Sequence, residues 1–189
     1  MILSIKEIID LIIMTLFVGF IFSDVFKKPR MMMGDFPQSY SRSFDFENFK
    51  FAALVTAPAI IFHEFGHKII AILFGMNATF HAAYTWLGLG LLLKLMNFGF
   101  IFFVPAFVSI QGVGTPLEYS IIALAGPLVN LIIWLGTSFL LKNRIMPRKY
   151  QVPLQLTKQI NMFLFIFNML PIPGFDGFKV YEGLFRTIF

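Results

Sequence analysis

The chain has no cysteine among its 189 residues, which excludes a disulfide framework and thiolate chemistry. Charge is scarce as well. Only 13% of residues are Asp, Glu, Lys or Arg, while 58% are hydrophobic; an ordinary soluble domain carries about 25% charged residues. The composition therefore excludes a soluble domain with a large core and implies an integral membrane protein, and the mean hydropathy of +0.80 agrees. The formal net charge of +5 reads as loop charge facing lipid headgroups. No Lys/Arg cluster is interleaved with a nucleic-acid motif, so nucleic acid is not an expected partner. Histidine is rare too, with three in the chain.

A helix needs about 20 mostly apolar residues to cross the hydrocarbon core. Four segments are candidates: 2–26, interrupted by Lys6, Glu7 and Asp10; 51–74; 117–141; and 158–171, which Pro171, Pro173 and Gly174 break early. The first is too long for a signal-peptide core and lacks a small-residue cleavage site, so it is expected to remain as an anchor. The polar, turn-rich stretch between the first two segments is a loop. In region 78–116, the β-branched and aromatic run Phe98–Gly112 predicts strand, and Pro105 predicts an edge position. Loop charge favours a re-entrant or interfacial hairpin here over an extra span across 87–111. Without that span, the basic loops around Lys27, Lys28, Arg30, Arg42 and Lys50 and around Lys142, Arg144, Arg148, Lys149 and Lys158 share one side of the membrane. The expected fold is mainly α and polytopic. It has about four transmembrane helices, with a short membrane-associated β element between the second and third. One domain, 1–189, would comprise the anchor 1–26, helix 51–74, hairpin region 78–116, middle helix 117–141 and a broken helix with its tail, 158–189.

The second segment contains "IIFHEFGHKII", Ile60–Ile70. Ionisable groups inside a span are costly and mark function by default. His63 and His67 are four apart, so on a helix they share a face, about 6 Å of rise from one another. Two imidazoles so placed can share a zinc ion, which takes nitrogen ligands and tolerates an open position. Glu64 lies about 100° round the helix; it need not be a ligand and can take the proton of a water at the open position. Two ligands and a base on one turn is what metal-assisted hydrolysis requires. A third ligand remains to be found. Among His81, Glu118, Asp176 and Glu182, Asp176 has the best setting, because Pro171, Pro173, Gly174 and Gly177 surround it with irregular backbone, tolerated at membrane depth only when buried in protein or lining a wet cavity. His81 is the runner-up.

With these residues in view, the sequence resembles the site-2 protease family of intramembrane zinc metalloproteases. The resemblance rests on "HEFGH", on "AGPLVN" (Ala125–Asn130) and on "NMLPIPGFDG" (Asn168–Gly177), in that order, and covers about residues 50–189. It implies one Zn2+ per chain on His63, His67 and Asp176, with Glu64 activating water and Asn168 assisting at the substrate. Asn130 would face the substrate channel or bond between helices, Gly126 and Pro127 would pack and kink the middle helix, and Gly66 would allow close helix approach. Pro173-Gly174-Phe175 departs from the second proline common before the family's aspartate, so the loop there is expected to differ. The PDZ or CBS domains of many relatives are not expected here, and the resemblance is to a minimal catalytic core. A helical substrate must unwind before attack, and an extended segment could add to the strand edge, with Phe107, Val108 and Ser109 as expected contacts. The implied function is regulated intramembrane proteolysis of transmembrane-helix substrates in the bilayer of a prokaryotic cell membrane, gated by the chain's own segments or by a regulatory membrane partner. The family orientation opposes the charge rule for these basic loops, and the family topology is taken as the guide. Two other classes compete: a metal transporter, which predicts ligands repeated along a path, and a catalytically silent helix binder, which predicts loss of Glu64 or of a ligand.

Overall fold

Ser4 and Glu7 start the first helix. The Ser4 hydroxyl accepts from the Glu7 amide, and the Glu7 carboxylate accepts from the Ser4 amide at 2.7 Å, a reciprocal cap that opens α1 (Ile5–Phe22). The computed structural model describes residues 3–27, 44–98 and 104–189. Lys28, Arg30 and Arg42 of the first basic loop, and positions 99–103 of the expected strand run, lie outside the described residues.

The other elements are α2 (Phe46–Leu73), β1 (Asn77–Ala82), α3 (Tyr84–Leu95), β2 (Ala106–Gln111), α4 (Pro116–Lys142), α5 (Gln151–Asn168) and α6 (Asp176–Ile188). The protein is mainly helical. Among the described residues, α2 and α4 are the two helices long and apolar enough to cross a membrane; they correspond to the expected segments 51–74 and 117–141. α1 carries Lys6, Glu7 and Asp10, and α5 opens on polar turns. α5 begins at Gln151 rather than near 158, because Pro153 falls in its first turn, where a missing N–H loses no helical bond.

The acidic residues of α1 turn inward. One Glu7 oxygen closes the helix cap; the other accepts from the Lys68 ammonium of α2 and from the Phe80 amide of β1, the latter at 2.7 Å. The Tyr84 hydroxyl donates to Asp10. α1 is thereby fixed to α2 and to the strand ladder by charge as well as by Met14, Val18 and Ile21, which pack with Ile60, Phe80 and Leu87. Lys68 is 2% exposed, so Lys68→Met would leave a buried, uncompensated carboxylate. Removing one partner of such a pair costs about 3–5 kcal/mol, and denaturant unfolding in micelles should show a loss of that order. Glu7→Gln/Lys68→Met should recover much of it.

β1 and β2 pair antiparallel, with Ala82 opposite Ala106 and Asn77 opposite Gln111. The chain between them thus leaves and returns at the same end of the ladder. α3, at 12 residues, rises about 18 Å, short of the roughly 30 Å hydrocarbon core. This is the geometry of a hairpin excursion. Within the described residues, strand is confined to 106–111 rather than the whole of 98–112, because its length is set by β1. Pro105 sits just outside β2, and its carbonyl accepts from the Ala83 amide at 3.0 Å.

α2 lies against α4 at Gly66. A Cβ there would stand 2.8 Å from the Ala125 carbonyl oxygen, so the two backbones approach as only glycine permits. Gly66→Ala must push the helices apart, and overpacking of this kind costs about 1–3 kcal/mol; thermal unfolding should register it.

Candidate metal centre

α2 presents His63 and His67 one turn apart, as its sequence spacing requires. Their rings stand at 84° to one another, yet both Nε2 atoms converge, 3.1 Å apart. Asp176 brings the third atom: its Oδ2 lies 3.0 Å from His63 Nε2 and 3.2 Å from His67 Nε2. Three ligand atoms thus form a nearly equilateral triangle. A tetrahedral zinc with bonds of about 2.0–2.1 Å has ligand-to-ligand edges of about 3.3 Å, so the donor set and its size fit that ion with one position left open. Among the described residues this is the one group of three such ligands.

Each ring is held from behind. His63 Nδ1 donates to Asn130 Oδ1 at 2.5 Å, and His67 Nδ1 donates to the Ile122 carbonyl at 2.8 Å. Both bonds leave Nε2 with its lone pair facing the shared point, the outer-shell arrangement typical of metal-ligating histidine. The Ala125-Gly126-Pro127 stretch supplies the room. A Cβ on Gly126 would lie 2.3 Å from His67 Nε2 and 2.9 Å from His63 Cε1, so the glycine is a cradle for the imidazoles as well as a packing device. Pro127 leaves the Ala123 carbonyl without its helical donor and presses on that turn, beside the carbonyl that receives His67.

Asp176 reaches the site by a tight reversal. α5 ends at Asn168; Gly174 has φ +100°, a conformation open mainly to glycine; Phe175 is extended, and α6 begins at Asp176. The sequence placed Asp176 in irregular backbone between a broken helix and its tail. Instead it is the first residue of a helix, where the dipole favours a carboxylate. Gly177 permits this, since a Cβ there would be 2.5 Å from the Met169 carbonyl oxygen.

Glu64 lines a cavity of about 680 Å³ beside the triad. Asn168, Phe107 and Val108 line the same cavity; Ser109 lies between Val108 and Ile110 on β2, opposite Thr79. Asn130 is placed differently. It is fully buried, with Oδ1 on His63 and Nδ2 on the Ala59 carbonyl and on Asn161. The remaining third-ligand candidates are engaged elsewhere: His81 sits on β1, with Nδ1 3.8 Å from Asp10 Oδ2, Glu118 caps α4, and Glu182 pairs with Arg186. Sequence reasoning missed Asn161. Its signal was an amide at the point where the polar first half of α5 gives way to the apolar run 162–167, but nothing in the sequence said which neighbour it met.

Two curated relatives match. A protein of Methanocaldococcus jannaschii named "Putative zinc metalloprotease" is 37% identical over 177 residues, spanning 93% of this chain and 83% of the relative. A Synechocystis protein with the same descriptive name is 26% identical over 132 residues, 70% of this chain but 30% of its own length. No protein-family model and no solved structure matches the chain. With 37% identity over most of both sequences, the chain belongs to the zinc metalloprotease family of its Methanocaldococcus relative.

Proposed function

We propose that the protein is an intramembrane zinc metalloprotease of the site-2 protease type, hydrolysing peptide bonds in or near transmembrane segments of membrane-protein substrates. The observation that carries the reading is the His63–His67–Asp176 triangle, two of whose corners lie on a helix apolar enough to cross a bilayer, with Glu64 beside it on a cavity wall. Held by these three residues, zinc supplies Lewis acidity towards a carbonyl and a water. Glu64 takes the proton of the attacking water and returns it to the leaving amine. Asn168 donates its amide to the developing oxyanion from the cavity wall. The chain resides in the cell membrane of a prokaryote, in contact with lipid and with single-span substrates, and a membrane partner regulates access. A transporter would be expected to carry further ligand clusters along a path, and the described residues hold a single one.

The test uses the purified chain in liposomes with two substrate sets: single-span helices and soluble unstructured peptides of the same sequences. Cleavage of the spans supports the reading. Cleavage of soluble peptides alone would leave a metalloprotease and remove the intramembrane assignment.

Substrate must be extended to be cut, and β2 is suited to hold it. One edge of β2 pairs with β1; the other has no strand partner among the described residues, and Phe107 and Val108 both line the cavity. Alternate residues of a strand turn their amides to opposite edges. Proline placed in turn at Phe107 and Val108 therefore separates the two edges. At the position whose amide faces the open edge, cleavage should fall about tenfold or more, the equivalent of one lost hydrogen bond to substrate, with the fold intact. Unchanged cleavage at both positions by folded variants would remove β2 from substrate binding.

A further inference from the structure

We infer that Asn130 and Asn161 are positioning residues that set the tautomer of His63, through a one-way hydrogen-bond relay running from the backbone of α5 to the metal-facing nitrogen. The inference rests on the reading of His63 as a metal ligand.

Both amides are fully buried, and neither lines the cavity. Asn161 Nδ2 donates to the Thr157 carbonyl at 2.8 Å. That bond fixes which end of the Asn161 amide points onward: Oδ1, an acceptor. Asn130 Nδ2 meets it at 2.9 Å and also donates to the Ala59 carbonyl of α2 at 3.1 Å. Both Asn130 amide hydrogens are then committed, and its Oδ1 can only accept. The ring nitrogen facing it at 2.5 Å, His63 Nδ1, must therefore carry the proton. A neutral imidazole has one N–H, so Nε2 is left as a lone pair at the triangle. Turning any link round would set carbonyl oxygen against carbonyl oxygen: Asn130 Oδ1 against Ala59 and Asn161, or Asn161 Oδ1 against Thr157. Two backbone carbonyls, on α5 and on α2, thus dictate the protonation pattern of a side chain they do not touch. His67 reaches the same tautomer in one step, through the Ile122 carbonyl. His63 reaches its two carbonyls, those of Ala59 and Thr157, only through the side chains of Asn130 on α4 and Asn161 on α5.

The rival explanation is that the two amides simply bind helices together. The deciding experiment measures zinc affinity by chelator competition on the full detergent-solubilised chain, for wild type, Asn130→Leu, Asn161→Leu, the double variant and Asn130→Asp. Visible spectra of the cobalt-substituted proteins are recorded alongside. Removing an outer-shell partner of a metal-ligating histidine lowers affinity about 10–100-fold. Asn130→Leu should show that loss and Asn161→Leu a smaller one. The double variant should be no weaker than Asn130→Leu, because a broken relay has no further link to lose. Asn130→Asp keeps the acceptor for His63 Nδ1 but turns an oxygen to the Ala59 carbonyl and to Asn161, so it should hold zinc less tightly than wild type and more tightly than Asn130→Leu. The cobalt bands should shift in Asn161→Leu, although Asn161 touches no ligand. Wild-type affinity in Asn130→Leu, or strictly additive losses in the double variant, would overturn the relay while leaving the metal site in place. A wild-type chain that holds no zinc would overturn the metal reading and the relay with it.

Discussion

Glu64→Gln is expected to keep one zinc per chain and to lose hydrolysis by roughly 10²–10⁴-fold or more, the contribution of a positioned general base. Glutamine matches glutamate in shape and leaves the triangle of His63, His67 and Asp176 untouched, so neither the fold nor the ligand set has reason to change. What disappears is the lone pair that accepts the proton of the attacking water. Cleavage of a single-span substrate and zinc content should be measured on the same preparations. A variant that loses zinc together with activity would place Glu64 in the ligand set. A variant that cuts at the wild-type rate would remove it from the chemistry.

Gly126→Ala should lower zinc affinity about 100-fold or more while leaving the helices in place. The added methyl would lie 2.3 Å from His67 Nε2 and 2.6 Å from its Cε1, closer than atoms can come. The ring cannot swing away without giving up its bond to the Ile122 carbonyl, and His63 is tied to Asn130 in the same way. Zinc affinity should therefore drop at least as far as it does when an outer-shell partner is removed, about 100-fold. Alanine is the better helix former by about 1 kcal/mol, so circular dichroism should report full helix content. Gly66→Ala is the contrast, since its clash is with the Ala125 backbone; it should cost stability before it costs metal. Full zinc affinity in Gly126→Ala would mean that the imidazoles are not seated against α4 as described.

Several parts of this arrangement are written in local sequence. The His63–His67 spacing places two ligands on one face of any helix that forms there, and Glu64 follows from its offset by one residue. The reciprocal caps at Ser4–Glu7 and Thr115–Glu118 and the break after Asn168 are local as well, because a hydroxyl, a proline or a glycine acts on its own few residues. The apolar length of α2 and α4 belongs with these. So does the strand tendency of 106–111, which pairs with 77–82 as an antiparallel ladder.

Other parts depend on contacts across the chain, and no short-range rule reaches them. β1 is legible only as the partner of β2, 29 positions on at the Asn77 and Ala106 starts of the two strands. Glu7 and Asp10 look like faults in an anchor until Lys68, Phe80 and Tyr84 are brought to them. Asn130 could face a channel or a neighbour with equal ease on the sequence, and packing put it against His63. Asp176 was legible as a candidate ligand by its irregular surroundings, but its position at the start of α6 follows from the turn at Gly174 and the contact of Gly177 with Met169. The sequence by itself determined the chemistry on offer: two imidazoles, a base and a carboxylate in apolar surroundings. Only the tertiary structure decided which atoms converge, which nitrogen of each ring faces inward and which amides hold it so, because those depend on directions and distances between helices rather than on spacing along one.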